Sequence, residues 1–196
     1  MVGLPFRTHY DFERKILEGK KTQTIRKYTA KRWKELQNCR DLQLYKHWRT
    51  PKVELIARAK LAGLFFCQIE TMLNEDEKDW PPTDEDDGWI GVAVDPEKLG
   101  FSHFRLMVDW EPLKHYWKVE EDNLGSRGFT WRDLEVHEIT SKEGREIVKL
   151  DGLTPEEFIL FFTKEHNLYE DFFIGIRWNY PVIPPLQEKS LLECFV

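Results

Sequence analysis

The sequence predicts an α+β fold: a small, mostly antiparallel β-barrel with flanking helices and a large insertion that contains extra strands. Many short segments alternate apolar and polar residues, as half-buried strands do, whereas few segments have helical spacing. The segment 73–128 differs in composition from both of its flanks. The length of 196 residues somewhat exceeds one domain of about 150 residues. We therefore predict a single domain over residues 1–180, interrupted at about 73–128, and a C-terminal tail at 181–196.

Short elements are predicted in the N-terminal part of the chain. Asp11 or Thr8 caps a first helix, which ends at Gly19 because glycine is favoured after a helix. The elements that follow are a strand within 20–27, a short basic helix over 29–37 that starts at Thr29, a strand over 41–48, and, over 53–71, one bent strand or two strands that meet near Gly63.

The C-terminal part contains one strong helix signal. Thr154 is a good N-cap and Pro155 a good first helical residue, so a helix is predicted from there to about Glu165. Its buried stripe is predicted to consist of Phe158, Phe161 and Phe162. The other predicted elements are strands over 89–94 and 104–110 inside the insertion, with Trp110 and Trp117 as core aromatics, and strands over 131–140 and 172–180.

Composition excludes several classes of protein. The chain is 14% aromatic, whereas disordered chains are poor in aromatic residues. It has no run of about 18 apolar residues that would cross a membrane, and its first residues lack the apolar stretch of a signal peptide. Its three cysteines form no CxxC pair, which favours a reducing compartment. We therefore expect a cytoplasmic protein without a membrane partner.

The formal net charge of −6 conceals a strong asymmetry along the chain. Residues 1–60 contain 16 Lys and Arg against 6 Asp and Glu, a net charge of +10. Residues 70–97 contain 11 acids and one lysine, a net charge of −10. A basic segment of this kind points to an anionic partner. Two other interpretations stay open: a solvated helix face beside an acidic loop, or an acidic segment that lies against the basic one and screens it.

The strongest motif is Gly19-Lys20-Lys21-Thr22-Gln23-Thr24-Ile25-Arg26. A helix that ends in glycine and is followed at once by lysines and threonines directs ammonium and hydroxyl groups to one mouth of the fold. Residues three apart on a regular strand face opposite sides, so Lys21 and Thr24 share a site only if the strand begins after Lys21 or is irregular there. The alternative is that Thr22, Thr24 and Arg26 form the polar face of a barrel strand.

Several segments in this order resemble the ASCH domain, which is similar in fold to the PUA domains of RNA-modifying proteins. These segments are GKKTQTIR, DLQLY followed by Arg49-Thr50-Pro51, LIARAKL, LDGLTPEEFILFF and FFIGIRW. The resemblance covers residues 4–72 and 129–180. It implies a PUA-like barrel with a central cleft suited to RNA or to a nucleotide-like ligand.

The resemblance also implies three catalytic residues. Some small bacterial members of the family hydrolyse the amide of N4-acetylcytidine, and others are linked to RNA cleavage. Their lysine and threonine correspond to Lys21 and Thr24, and their glutamate corresponds to Asp151, which is one methylene shorter. The chemistry is consistent, because a threonine hydroxyl becomes a nucleophile when a base takes its proton. A desolvated lysine can be that base, with a carboxylate that orients it.

Other basic and aromatic residues are candidates for contact with RNA or a nucleoside-like ligand. Cations can bind phosphates, and aromatic rings can stack on bases. For each residue the alternative is a solvated surface charge or core packing, and for Arg177 a salt bridge is the alternative. The predicted binding residues are Thr22, Arg26, Lys27, Lys31, Tyr45, Trp48, Arg49, Arg58 and Arg177.

Three functions are therefore compatible with the sequence. The first is binding of RNA or of a modified nucleoside or nucleotide, with or without hydrolysis. The second is an amidohydrolase acting on small amides similar to N4-acetylcytidine. The third is a non-enzymatic module that binds a protein partner through the acidic segment 74–97. The six histidines and three cysteines have no metal-ligand spacing, and no nucleotide-binding loop motif occurs, so we predict no metal and no cofactor.

Overall fold

The computed structural model describes residues 1–7, 10–48, 50–71, 100, 104–110, 135–166, 168 and 171–184. Within these residues the protein is an α+β structure, in which a curled, mostly antiparallel sheet forms half a barrel and a few helices flank it. This confirms the predicted α+β class and the mostly antiparallel sheet. The helices are α1 (Phe12–Leu17), α2 (Ala30–Gln37), α3 (Lys142–Leu150) and α4 (Pro155–Glu165). The strands are β1 (Val2–Phe6), β2 (Gln23–Lys27), β3 (Asp41–Lys46), β4 (Glu54–Thr71), β5 (Phe104–Asp109), β6 (Glu135–Glu138) and β7 (Phe173–Trp178).

Strand β4 organises the sheet. It is 18 residues long and pairs antiparallel with β3 near its start and with both β5 and β7 near its end. Strand β1 pairs parallel with β3, β5 pairs with β6, and β7 pairs with β2. The register of β4 against β7 shifts between Leu61 and Gly63, which is where the sequence predicts a bend. Thus β4 is one bent strand, which was one of the two predicted alternatives.

Side-chain caps fix the ends of three helices. The Thr29 hydroxyl accepts a hydrogen bond from the Arg32 N–H, and the Ser141 hydroxyl accepts one from the Gly144 N–H. Thr154 and Glu157 form a reciprocal capping box at the start of α4. These contacts confirm the predicted helix starts after Thr29 and Thr154.

Two elements were not predicted from the sequence. Strand β1 contains a glycine and a proline, which are poor strand formers, and it lies at the edge of the sheet among the described residues. Helix α3 follows β6 after a short turn, and its Ser141 cap was overlooked. In α4 the buried residues are Phe158, Ile159 and Phe162, whereas Phe161 is only half-buried, so the predicted stripe is partly wrong.

Part of the predicted insertion belongs to the main sheet. Strand β5 lies inside 73–128 and pairs with β4 over six residues. The half-buried Trp110, which follows β5, packs against the core. The predicted strand at 89–94, Trp117 and most of the predicted tail lie outside the described residues. In the part of the chain that the structure describes, no helix is long and apolar enough to cross a membrane.

Two glycines of the paired strands β4 and β7 should respond oppositely to a methyl group. A Cβ at Gly175 would lie 1.9 Å from Cζ of the buried Phe65, whereas a Cβ at Gly63 would have no atom of the described residues within 4 Å. We expect Gly175→Ala to lower the free energy of unfolding by about 1–3 kcal/mol through overpacking. Gly63→Ala should leave the free energy of unfolding unchanged or raise it by up to about 1 kcal/mol, because alanine restricts the conformations of the unfolded chain. Urea unfolding measures both, and equal stabilities of the two variants would contradict this packing.

Candidate functional site

A buried ion pair joins the start of β2 to the end of α3. The side chain of Lys21 is completely buried, and that of Asp151 is 5% exposed. The Lys21 ammonium donates hydrogen bonds to the carboxylate and to the backbone carbonyl of Asp151. The other carboxylate oxygen of Asp151 accepts a hydrogen bond from the Ile25 N–H at 3.0 Å. Lys21 Nζ also lies 4.4 Å from the centroid of the Phe12 ring and 5.5 Å from that of Phe6.

The chain segment before β2 places Lys21 outside the strand. Gly19 has a φ of +72°, and the N–H groups of Lys20 and Lys21 both bond to the Lys15 carbonyl, at 2.8 and 2.9 Å. Strand β2 then begins at Gln23. This is the condition under which Lys21 and Thr24 can serve one site, because the alternation of faces starts only after Lys21.

The end of α3 is fitted closely to this segment. Asp151 is the C-cap residue, and Gly152 follows it with a φ of +79°. A Cβ at Gly152 would lie 3.2 Å from the aliphatic chain of Lys21. Glycine at this position therefore permits both the positive φ and the close packing of Lys21 against the backbone. Lys15 Nζ donates to the Gly152 carbonyl at 2.6 Å, and the Thr22 N–H donates to the Leu150 carbonyl at 3.0 Å. Cations at a helix C-terminus interact favourably with its free carbonyl groups.

Arg26 and Thr24 extend the polar region along one face of β2. Their positions alternate with Gln23 and Ile25, so both lie on the same face of the strand. The Arg26 guanidinium donates to the Pro5 carbonyl and lies 5.2 Å from the centroid of Phe6, the same ring that Lys21 approaches. Thr24 is 4% exposed. We refer to Lys21, Thr24, Arg26 and Asp151 as the polar cluster.

Two buried donors near the polar cluster lack partners. Arg26 Nε and Trp178 Nε1 are buried and have no hydrogen-bond partner among the described residues. Both side chains approach Phe6, since the Trp178 and Phe6 ring centroids are 6.0 Å apart. Unpaired buried donors cost free energy, which a ligand with acceptor oxygens would recover.

Burial changes the protonation of the polar cluster. Desolvation lowers the pKa of Lys21 from 10.5 to about 8, although the carboxylate of Asp151 opposes this shift. Desolvation likewise lowers the pKa of Arg26 to about 10. Desolvation also raises the pKa of Asp151, against the opposing effect of Lys21. The cause in all three cases is that the charged form loses its hydration.

The remaining predicted residues are dispersed over the molecule. Arg177 pairs with Gln23 in the sheet and therefore lies on the face of β2 and β7 opposite to Thr24. Tyr45 and the 43%-exposed Trp48 pack on each other over Gly3, on the face of β1 opposite to Phe6. Hence these three side chains do not line one cleft with the polar cluster. Lys31 and Arg58 are exposed, Thr22 is half-buried at the start of β2, and Arg49 lies outside the described residues.

Acids near and far in the sequence form ion pairs with cations of the basic N-terminal segment. Lys27, one of the predicted binding residues, forms an ion pair with the buried Asp171. Further pairs join cations of residues 1–60 to acids: Arg7–Glu165, Arg14–Asp11, Lys20–Glu18, Lys46–Glu13 and Lys60–Asp41. The acids of four of these five pairs belong to residues 1–60 and are already counted in the net charge of +10. Among the ion pairs of the described residues, only Glu165, together with Asp151 and Asp171, comes from outside the segment and offsets part of that charge. The acidic segment 74–97 lies outside the described residues.

Three residues of the site were missed by sequence reasoning. Phe6 and Phe12 supply the rings around the Lys21 ammonium, but an apolar residue in a strand or helix gives no signal of such a role. Gln23 is fully buried and bonds to the Ile147 carbonyl and to Arg177. Its position inside the motif was the only available signal.

No family model, curated protein or solved structure matches the chain. The site must therefore be interpreted from its own geometry. Among the described residues, no three His, Cys, Asp or Glu side chains are placed to hold a metal ion. What the polar cluster offers is a desolvated ammonium, a carboxylate that holds it, a second cation and, on the adjoining strand, the buried residue Thr24, which together suit acid–base chemistry.

The lowered pKa of Lys21 predicts a specific dependence of stability on pH. Its pKa is about 8 in the folded chain and near 10.5 when unfolded, so between these values the unfolded state binds more protons. The contribution of Lys21 to the free energy of unfolding should therefore rise by up to about 3 kcal/mol as the pH increases from 8 towards 10.5. Urea unfolding at pH 8 and pH 10 should show this rise in the wild type and not in Lys21→Met. If Lys21→Met does not fold, the double variant Lys21→Met/Asp151→Asn replaces it. An equal change of the free energy of unfolding with pH in wild type and variant would refute the assignment of this pH dependence to Lys21.

Proposed function

We propose that this chain is an ASCH-like protein with a PUA-like barrel, and that its polar cluster binds a modified nucleoside or nucleotide and hydrolyses an amide on it. The observation that carries the proposal is the buried ion pair between Lys21 and Asp151. The Asp151 carboxylate also accepts a hydrogen bond from the N–H of Ile25, the residue that follows Thr24 in β2. A lysine with a pKa near 8 is a competent base close to neutral pH, whereas an ordinary lysine is not.

The charge of the polar cluster supports an oxygen-rich ligand. Two cations, Lys21 and Arg26, face one carboxylate, so the cluster carries an excess positive charge while both are protonated. The unpartnered Arg26 Nε and Trp178 Nε1 are additional donors. A nucleoside or nucleotide carries carbonyl, hydroxyl and phosphate oxygens that accept such hydrogen bonds.

The burial of the polar cluster favours a small ligand over a polymer. Lys21, Thr24 and Asp151 are each no more than 5% exposed. A nucleic acid strand with its phosphate backbone is too large to reach groups at this depth without unfolding the barrel. A single nucleoside needs only a local opening.

The proposed reaction uses three residues of the polar cluster. Neutral Lys21 takes the proton from the Thr24 hydroxyl, and the Thr24 oxygen forms a bond to the amide carbonyl carbon. The C–N bond then breaks, and the amine leaves with the proton returned by Lys21. Water cleaves the resulting ester and restores Thr24. Asp151 orients Lys21 and stabilises its protonated form.

A second candidate function, RNA binding, is favoured by a different surface. Trp48 is exposed and packs against Tyr45, whose hydroxyl donates to Gln43 at 2.9 Å. The exposed Arg58 lies opposite Gln43 in the sheet. An exposed aromatic pair next to a cation is typical of surfaces that stack on single-stranded nucleic acid.

Turnover of N4-acetylcytidine tests the proposal. We expect wild-type protein to release cytidine at a rate that rises with pH through about 8, since Lys21 must be neutral. Thr24→Val keeps the size of the side chain and should abolish turnover while the protein stays folded. Lys21→Met should abolish it as well, whereas the exposed neighbour Lys20, which pairs with Glu18, provides the control Lys20→Met with unchanged turnover.

Two outcomes would count against this function. Turnover that survives Thr24→Val, or that falls equally in Lys20→Met and Lys21→Met, excludes the proposed mechanism. Absence of turnover together with RNA binding that falls in Trp48→Ala, but not in Thr24→Val, would favour the RNA-binding surface instead.

A further inference from the structure

Arg177 is held in a fixed orientation on the outer face of the sheet. Its Nε donates to Gln23 Oε1 at 2.9 Å, and Gln23 Nε2 donates to the Ile147 carbonyl at 3.1 Å. The guanidinium carbon lies 4.2 Å from the centroid of Trp110 and 5.1 Å from that of Phe65. Two aromatic rings and a buried amide thus fix the guanidinium plane, which reduces the entropy lost when it binds a ligand.

The guanidinium has no acidic partner in the described part of the chain. Glu135 is the acid that approaches Trp110, but its carboxylate accepts from Trp110 Nε1 at 2.7 Å and lies 3.2 Å from His137 Nε2. Desolvation lowers the pKa of Arg177, and no carboxylate opposes this effect. Arg177 is half-buried, so part of its side chain reaches solvent. A half-buried cation without a counterion is unusual, because burial of an unpaired charge costs free energy.

Space for a ligand exists beside Arg177. Gly63 lies opposite Arg177 in the β4–β7 register, and cross-strand partners share a face of the sheet. A Cβ at Gly63 would have no atom of the described residues within 4 Å. The ring of Phe65 lies on the same face, over Gly175 and beside the Arg177 guanidinium. The missing side chain at Gly63 therefore leaves an open position opposite Arg177 in the sheet.

We propose that Arg177 and the open position at Gly63 form a second, phosphate-binding site, on the face of the sheet opposite to the polar cluster. The two terminal nitrogens match two oxygens of one phosphate group, and the pair of hydrogen bonds is charge-assisted. Gln23 and Trp110 act as positioning residues, because they orient the guanidinium without touching the ligand. The phosphate belongs either to a free nucleotide or to the backbone of RNA.

This site is independent of the proposed hydrolysis. Arg177 and Gly63 belong to neither the Lys21–Asp151 pair nor the Thr24 face of β2, so the loss of one site does not remove the other. Failure of N4-acetylcytidine turnover therefore leaves this proposal intact, and failure of phosphate binding leaves the hydrolysis intact.

The Arg177 Nε–H resonance, assigned by its absence in Arg177→Lys, reports on the site directly. In titrations of the full chain with inorganic phosphate and with cytidine 5′-monophosphate, we expect this resonance to shift saturably. Cytidine without phosphate should leave it unchanged. A short RNA that shifts it at lower concentration than the mononucleotide would identify the RNA backbone as the source of the phosphate, whereas equal affinities would identify the free nucleotide.

Two variants separate the site from general electrostatic attraction. Gly63→Leu fills the open position without removing any charge and should weaken phosphate binding about tenfold or more. Arg177→Lys keeps the charge but loses the paired donors, and binding measured by calorimetry should weaken about tenfold. Arg145→Lys on the exposed side of α3 is the matched control and should bind as the wild type does.

Three results would overturn the proposal. The first is an Arg177 resonance that responds to neither phosphate nor RNA. The second is equal binding by wild type and Gly63→Leu. The third is a shift produced as readily by acetate or an acidic peptide as by phosphate, which would assign the position to a carboxylate.

Discussion

The structure depends on one buried ion pair, between Lys21 and Asp151. It joins the C-terminal end of α3 to the segment before β2, and neighbouring hydrogen bonds from Lys15, Thr22 and Ile25 hold the same junction. Burying two charges costs more free energy than a surface pair does, and an apolar pair of similar volume often stabilises a fold better. A fully buried lysine at this position is therefore better explained by function than by stability alone.

The same junction places different chemistry on the two faces of β2. On one face Thr24 and Arg26 lie near Lys21 and Phe6, where burial lowers the pKa of the lysine. On the other face the buried Gln23 fixes Arg177 against Trp110. One short strand thus contributes to a desolvated acid–base cluster and to an accessible, pre-oriented cation. The two faces suit two separate ligand groups: an amide carbonyl on the first and a phosphate on the second.

The sequence predicted those features that depend on local chemistry. The Thr29 and Thr154 caps and the bend of β4 near Gly63 each follow from a few neighbouring residues. Features that depend on distant partners were not predictable. The charge of residues 1–60 suggested an open basic surface, but acids such as Glu165 and Asp171, more than a hundred residues away, neutralise part of it. Likewise, the separation of Arg177 and Trp48 from the polar cluster depends on strand pairing, which composition does not encode.

The most direct test of the central claim is the titration of the Lys21 ammonium itself, followed by NMR of protein labelled at the lysine side chains. The account predicts a midpoint at about pH 8 in the free protein, because burial outweighs the attraction of Asp151. It also predicts that the midpoint moves when N4-acetylcytidine is added, since the ligand changes the surroundings of the amine. An ordinary midpoint near pH 10.5 that the nucleoside leaves unchanged would contradict both the burial of Lys21 and its role as the base.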